Sequence, residues 1–507
     1  MTFWRRSGPL AAAAGLALGM TSPPVSAWAL GFACPALLLA AIEARPGGPR
    51  AGHGLAAGAV TGTVVNAIAL YWIVGLLQTF ARFPWVAAVP TAMLFWFVQG
   101  LPFALSGGAT AALARRGVPS WLVLPAAWTV AFTITPALFP WRPSTSQVPF
   151  VPWIQLAELG GVPLLDFLLA LGGCALVRAV RPTGSRIRRI GALAVAAAAV
   201  AGPAVYGTLR LPEVRAARER APVVRVGVVQ PNVGIFEKHD RLLWDDHLER
   251  LQEMTRDLQA RGADLVVWPE TSYPYPFPRG RMRDLPGRRS VRGGPLRAPL
   301  LFGALTRRGV CDRWNSVLAM EPDGRVVGVA DKVHLLHFGE TVPLWHVLPP
   351  LRMFFRCPGL VAGDHPPIVR LAGVRMAVLN CYEDILADHV RWLAGLEPEL
   401  LVNATNDAWF GDSTEPHLHH QVARLRSVET RRDLVRAVNT GVSGHVTATG
   451  RDAVRTETWV RTSFVAEARR LEGVTPWVRF GDLTSALLLG ALLGVVLGVR
   501  RRPVQQG

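Results

Sequence analysis

Roughly seven apolar stretches succeed one another through the first 210 residues, each on the scale of a membrane span of about 20 residues. They lie near 8–22, 25–43, 54–78, 84–108, 119–139, 160–180 and 189–209, and an eighth lies near 483–499. Apolar segments repeated in series cannot all be interior to one water-soluble core. Composition agrees: 18% of the 507 residues are charged, against about a quarter in a soluble chain. A purely soluble enzyme and a disordered chain are both disfavoured.

The net charge of +18 suits nucleic-acid binding less well than membrane orientation, because of where the arginines fall. Arg5 and Arg6, Arg45 and Arg50, Arg115 and Arg116, the group from Arg178 to Arg189, and Arg500 to Arg502 occupy alternate loops. The intervening loops hold only Arg82 and Arg142. Short basic loops stay cytoplasmic. Seven spans then place residues 220–470 on the outer side, and the eighth returns the C-terminus to the cytoplasm. Arg5-Arg6, an apolar run and Ser26-Ala27-Trp28-Ala29 resemble a cleavable signal. An uncleaved first span keeps the parity, and both termini are expected to be cytoplasmic. Asp166 and Asn66 sit in apolar surroundings, where a functional role competes with helix packing. Tyr71, Trp72, Trp85 and Trp141 fit an interfacial aromatic belt.

Three domains are therefore expected: a membrane region over 1–210, a soluble domain over 220–470 and a last helix over 483–499. The soluble segment alternates strand and helix patterns. Val223–Gln230 reads as a buried strand, 240–261 as an amphipathic helix and 263–270 as a second strand. Further strands are expected near 299–306, 315–321, 325–330, 374–380, 400–405 and 434–440, with a helix near 416–432. That alternation implies an α/β domain. Residues 273–297 and 341–367 lack periodicity, and loops of that length are commonly functional.

Three segments put a reactive side chain just past an apolar strand, where α/β sheets form their crevices. They are Leu265-Val-Val-Trp-Pro-Glu270, Asp331-Lys332-Val333-His334 and Val378-Leu379-Asn380-Cys381-Tyr382-Glu383. Singly each has an ordinary explanation: a solvated carboxylate, a surface ammonium, a core thiol. Lysine is rare here, since only Lys238 and Lys332 stand among 52 arginines, and lysine is the cation that suits acid–base chemistry. A Cys closing a strand before a polar turn suits an elbow that lifts the sulfur toward backbone N–H donors.

Together, WPE, DK and CYE in this order resemble the nitrilase (carbon–nitrogen hydrolase) superfamily. Lys332, His334 and Phe338-Gly339-Glu340-Thr341-Val342-Pro343 resemble a stretch of the apolipoprotein N-acyltransferases. So do Asn406-Asp407-Ala408-Trp409-Phe410-Gly411-Asp412-Ser413, the segment His420 to Arg426, and Arg436-Ala437-Val438-Asn439-Thr440-Gly441. The resemblance implies a membrane helical bundle of about eight spans carrying an α/β nitrilase-like domain, an αββα sandwich. It implies a Glu270, Lys332, Cys381 triad with Glu340, Glu383 and Tyr382 in support. Phe236 stands where the family commonly carries a Trp. With Trp345, Trp409 and Asn406 it is a candidate for substrate or lid contact.

The implied activity passes an acyl chain from a membrane phospholipid to the terminal amine of an S-diacylglyceryl-Cys apolipoprotein. The route is a ping-pong one through a Cys381 thioester, since a covalent thioester divides one hard acyl transfer into two easier steps. The expected location is a bacterial inner membrane with the catalytic domain outside. No cofactor, metal or nucleic-acid partner is expected, and the chain is expected to be a monomer. His417, His419 and His420 lack a recognisable ligand set. Pairing of Cys311 with Cys357 is left open by the sequence. A membrane-tethered amidase and an inert binding protein are the competing readings, which Cys381→Ser separates.

Overall fold

The computed structural model describes residues 7–44, 47–181, 185–294, 297–345 and 347–500. Arg5, Arg6, Arg45, Arg501 and Arg502 of the basic loops lie outside them. The chain divides into two compact units, one of residues 1–213 with 475–507 and one of residues 214–474.

The first unit is helical. Ala157–Val180 and Arg186–Arg220 are long and apolar enough to cross a membrane unaided. Two further apolar stretches are bent pairs: Ala51–Ala69 with Ile73–Thr79 at 61°, and Trp85–Gln99 with Leu101–Ala114 at 45°. The apolar stretches expected at 54–78 and 84–108 are thus broken helices. Pro102 lacks the N–H that would continue the second one. At the same break Gly100 packs on Gly62 so closely that a Cβ on Gly62 would lie 2.5 Å from the Gly100 carbonyl oxygen. Gly8–Gly19, Trp28–Glu43, Ser120–Ile134 and Leu483–Gly498 are shorter apolar helices. Asp166 and Asn66 are buried and partnered. Arg142 Nε donates to Asp166 at 2.6 Å and the Ser144 N–H at 2.9 Å, while Trp141 Nε1 donates to Asn66 at 3.2 Å. Packing accounts for both.

The second unit is two sheets face to face with helices outside. The strands are β1 (Val223–Gln230), β2 (Leu265–Val267), β3 (Tyr273–Pro278), β4 (Leu300–Arg307), β5 (Arg313–Met320), β6 (Val326–Asp331), β7 (Ile368–Leu371), β8 (Val374–Asn380), β9 (Leu400–Thr405), β10 (Leu434–Val438), β11 (Gly444–Val446), β12 (Asp452–Arg455) and β13 (Thr462–Arg469). One sheet runs β13-β1-β2-β4-β5-β6 with β3 beside β4, and the other runs β12-β11-β10-β9-β8-β7. Val226, Val228, Leu265, Val267 and Val317 of the first meet Met376, Val378, Leu400, Val402 and Val435 of the second in one buried core. The helix Trp244–Ala260 covers the outer face of the first sheet through Leu248, Leu251, Met254 and Leu258. Its acids Asp245 and Asp246 stand in the first turn, where the helix dipole favours negative charge. Ala387–Ala394 and Glu415–Thr430 cover the other face. β1, β2 and β4 are parallel neighbours, as are β8, β9 and β10, so the C-terminal ends of β2, β8 and β9 can each present a side chain.

Candidate functional site

Glu270 follows β2 after Trp268-Pro269, Lys332 follows β6 directly and Cys381 follows β8 directly. β2 and β8 are buried through their C-terminal ends and β6 alternates buried with exposed residues; in each the chain turns where the polar residue begins. Thr271 and Cys381 both take positive φ, +44° and +53°. Neither is glycine, and a β-branched Thr in that region is a genuine outlier. Strain of this kind persists where surrounding contacts over-determine it, commonly at functional sites. At Cys381 the contacts are visible. Asn403 Nδ2 donates to the carbonyl of Cys381 at 2.9 Å, and Glu383 accepts the Asn380 N–H at 2.9 Å.

Lys332 is nearly fully buried, and its Nζ lies 2.8 Å from Glu340 Oε2 and 3.5 Å from Glu270 Oε1. The Tyr382 ring centroid lies 5.2 Å away. Asn315 of β5 links the two acids, donating from Nδ2 to Glu270 Oε1 at 2.6 Å and to Glu340 Oε1 at 3.1 Å. The Leu336 N–H donates to the other oxygen of Glu340 at 2.9 Å. Burial works against the ammonium, but Cys381, Glu270 and Glu340 outweigh it and hold its pKa well above that of an ordinary lysine. Burial and the negative field of Glu270 push the Cys381 thiol well above its usual range, with Lys332 opposing them. The resting sulfur is therefore protonated and needs a base.

Glu383 was expected to stand in support of the triad. It grips the main chain, accepting the N–H groups of Val333 at 2.7 Å and His334 at 2.8 Å besides that of Asn380. It thereby ties the turn after β6 to the turn after β8. Burial raises its carboxyl to about 7 against the pull of those hydrogen bonds. His334 packs edge-on against His389 with ring centroids 4.7 Å apart.

The four candidate substrate contacts scatter. Phe236 is 70% exposed and Trp409 40% exposed. Trp345 donates from Nε1 to the Phe355 carbonyl at 2.9 Å. Asn406 is buried and accepts from Asn439 Nδ2 at 2.9 Å, which makes it part of the scaffold. Sequence reading missed Asn315, whose type and place in a strand carry no signal. It also left Lys238 without a role, although the scarcity of lysine marked it.

The three histidines part company. His417 pairs with Arg455 at 2.8 Å and His420 with Asp452 at 2.8 Å. His419 bridges Asp384 at 2.7 Å and Asp407 at 3.2 Å. Asp407, Glu415 and His419 have atoms close enough to be weighed as metal ligands. Burial lowers the His419 pKa, but Asp384 and Asp407 overcome it and hold the ring near 10. An imidazolium donates from both nitrogens and offers a metal no lone pair. Arg436 adds a second cation on Asp384. Burial, with Asp407 beside it, pushes the Glu415 carboxyl well above its usual range, which leaves two carboxylates against two cations.

Two apposed sheets with an acid, a lysine and a cysteine at their strand ends define a domain of the carbon–nitrogen hydrolase class, and residues 225–472 match that family's model. Residues 14–175 match the model described as the apolipoprotein N-acyltransferase N-terminal domain. An apolipoprotein N-acyltransferase of Geobacter metallireducens is 32% identical over 96% of this chain and 94% of its own. One of Gloeobacter violaceus is 31% identical over 97% and 95%. Among solved structures, an amidase from Nesterenkonia sp. overlaps 54% of this chain and 97% of its own, at 17% identity and a TM-score of 0.38. The chain belongs to the apolipoprotein N-acyltransferase family.

Proposed function

We propose that this protein transfers an acyl chain from a membrane phospholipid to the α-amino group of the N-terminal S-diacylglyceryl cysteine of apolipoproteins, through a thioester on Cys381. The observation that carries the reading is the Lys332 ammonium, held between Glu270 and Glu340 and beside Cys381, in a chain of this family. Glu270 takes the Cys381 proton as the sulfur attacks the phospholipid ester carbonyl. Negative charge develops on the carbonyl oxygen and is met by Lys332 Nζ and neighbouring backbone N–H groups. Collapse breaks the ester C–O bond, and Glu270 returns the proton to the departing lysophospholipid oxygen. The incoming amine attacks the thioester, Glu270 receives its proton, and the thiol is regenerated as the amide forms. Glu340 and Asn315 hold Lys332 and Glu270 in register, and Tyr382 lies beside the ammonium.

Phe236, Trp345 and Trp409 offer apolar surface to an acyl chain or a lid. Leu344, Val347, Leu348, Met353 and Phe355 are exposed along the same long loop as Trp345, which suits a cover that keeps water from the thioester. We place the chain in a bacterial inner membrane as a monomer, with spans over 1–210 and 483–499, the catalytic domain over 220–470 outside and both termini in the cytoplasm. A disulfide between Cys311 and Cys357 supports the outer placement, because disulfides persist in oxidising compartments.

The test is intact-protein mass spectrometry after incubation with phospholipid alone. An acyl-sized adduct is expected, removed by hydroxylamine, absent in Cys381→Ala and discharged by a diacylglyceryl-Cys peptide. Discharge to water with no acylated peptide would point to an amidase. No adduct on folded protein would overturn the reading.

A further inference from the structure

The chain carries two lysines, and both meet Glu270. Lys332 faces its carboxylate. Lys238, on the short helix Ile235–His239, reaches it from the main-chain side: its Nζ donates to the Glu270 carbonyl at 3.1 Å and to Thr271 Oγ1 at 2.6 Å. These are the two residues of the turn that holds Thr271 at φ +44°. Among the described residues no carboxylate lies in salt-bridge contact with the Lys238 ammonium, so its charge is not spent on a neighbouring acid.

We propose that Lys238 is a positioning residue of this site, whose ammonium clamps the Glu270–Thr271 turn and sets a second positive charge beside the carboxyl that serves as the base for Cys381. The inference deepens the proposed function and rests on Glu270 acting as that base. A cation near a carboxyl favours its charged form, and two hydrogen bonds to one strained turn fix the direction in which the carboxyl leaves it. Arginine elsewhere in this chain does the work of charge. A compact ammonium satisfies a carbonyl and a hydroxyl at once. The charged and titratable groups around Lys238 are Glu270 and Cys381 across the site, Glu237 and His239 on its own helix and His247 on the next. Burial of the ammonium end draws Lys238 down to about 8, while Glu270 and Cys381 pull the other way. It is charged at neutral pH. A cavity of about 20 Å³ lined by Pro231, Lys238, His247 and Ser272 adjoins it.

The test is the rate of Cys381 alkylation by iodoacetamide as a function of pH, read by mass on the full-length protein in detergent. It needs no lipid. Lys238→Met removes the ammonium and keeps the stem. Lys238→Gln keeps a donor for the turn and removes the charge. In both, the acid limb of the profile is expected to move up by about one pH unit, about tenfold slower alkylation on that limb, with an unchanged melting temperature. Lys238→Arg, with the adjoining cavity to take its added bulk, restores the limb. An unmoved limb in either folded neutral variant overturns the proposal. If wild-type protein shows the limb and the neutral variants displace it, yet wild type forms no acyl adduct from phospholipid, the proposed function fails and the role of Lys238 stands.

Discussion

Glu270, Lys332 and Glu340 form one electrostatic unit, because an ammonium removed from water is tolerable only with anions at 2.8 and 3.5 Å. Replacing the lysine by arginine keeps the charge but spreads it over a fork that cannot sit between both acids. Lys332→Arg is expected to lower the rate of adduct formation by about 10²-fold or more, the cost of one oxyanion donor, in the same mass measurement that detects the thioester. A rate within a few-fold of wild type would show that Lys332 only balances charge. Asn315 is the less obvious member. Asn315→Ala leaves the Glu270 and Glu340 oxygens without their shared donor, and about tenfold slower adduct formation is expected, since misaimed catalytic groups lose rate steeply. Unchanged kinetics would assign the alignment of Glu270 to its lysines alone. The acid, the lysine and the cysteine were all legible in the sequence, because each ends an apolar strand and sits in a recognisable motif. Asn315 was not, because it acts 45 residues from Glu270 across a sheet and an Asn inside a strand looks like any other.

At the level of elements, two ties decide how the second unit holds together. The Cys311–Cys357 bond joins the β4–β5 connection to the long apolar loop across 46 residues. Closing a loop of that size stabilises the folded state by about 4 kcal/mol in the chain-entropy picture. Cys311→Ser is expected to lower the melting temperature and to expose residues 341–356 to protease. Equal melting and equal proteolysis would mean the loop is held by its other contacts. The second tie is Asp433, fully buried, which accepts both Arg218 nitrogens at 2.8 and 2.7 Å, His445 Nε2 at 2.9 Å and the N–H groups of Ala448 and Arg469. Burial works to raise its pKa, but His445 and Arg218 win and bring it down to about 2 from 3.8. A carboxyl depressed on folding stabilises fully above its unfolded value and loses that contribution as pH falls. Asp433 should therefore stabilise the protein at and above about pH 4 and cease to do so as pH drops through about 2. Asp433→Asn is expected to cost about 3–5 kcal/mol at neutral pH, the usual penalty for stranding a buried partner. Denaturation across pH should show the mutant and wild type converging in acid, and parallel curves would sink the assignment. The strands β1, β8 and β9 stand where their apolar runs predicted. β13 was missed, because its alternation of half-buried and exposed residues takes meaning only beside β1, some 240 residues away in the chain.

Over the whole molecule, the proposed arrangement makes a prediction independent of chemistry. In intact cells of a Cys381→Ala background, a membrane-impermeant maleimide should label Arg308→Cys from outside, and Arg116→Cys only after permeabilisation. Both positions are exposed. Labelling of both or neither without permeabilisation would refute the orientation read from the arginines. The apolar series, the α/β alternation and the three residues at strand ends follow from the order of amino acids alone, because each is a local pattern: a run, a period, a motif. Packing in three dimensions was needed to show that two apolar stretches are bent helices, that Asp166 is answered by Arg142, that Cys311 meets Cys357, that Glu383 accepts main-chain N–H groups, and that Lys238 reaches the turn of Glu270. One cause is common to all five. Helix and strand periods are set by neighbours a few residues apart. The partner of a buried charge, thiol or strained turn is whatever residue the packing of distant elements brings within hydrogen-bond reach.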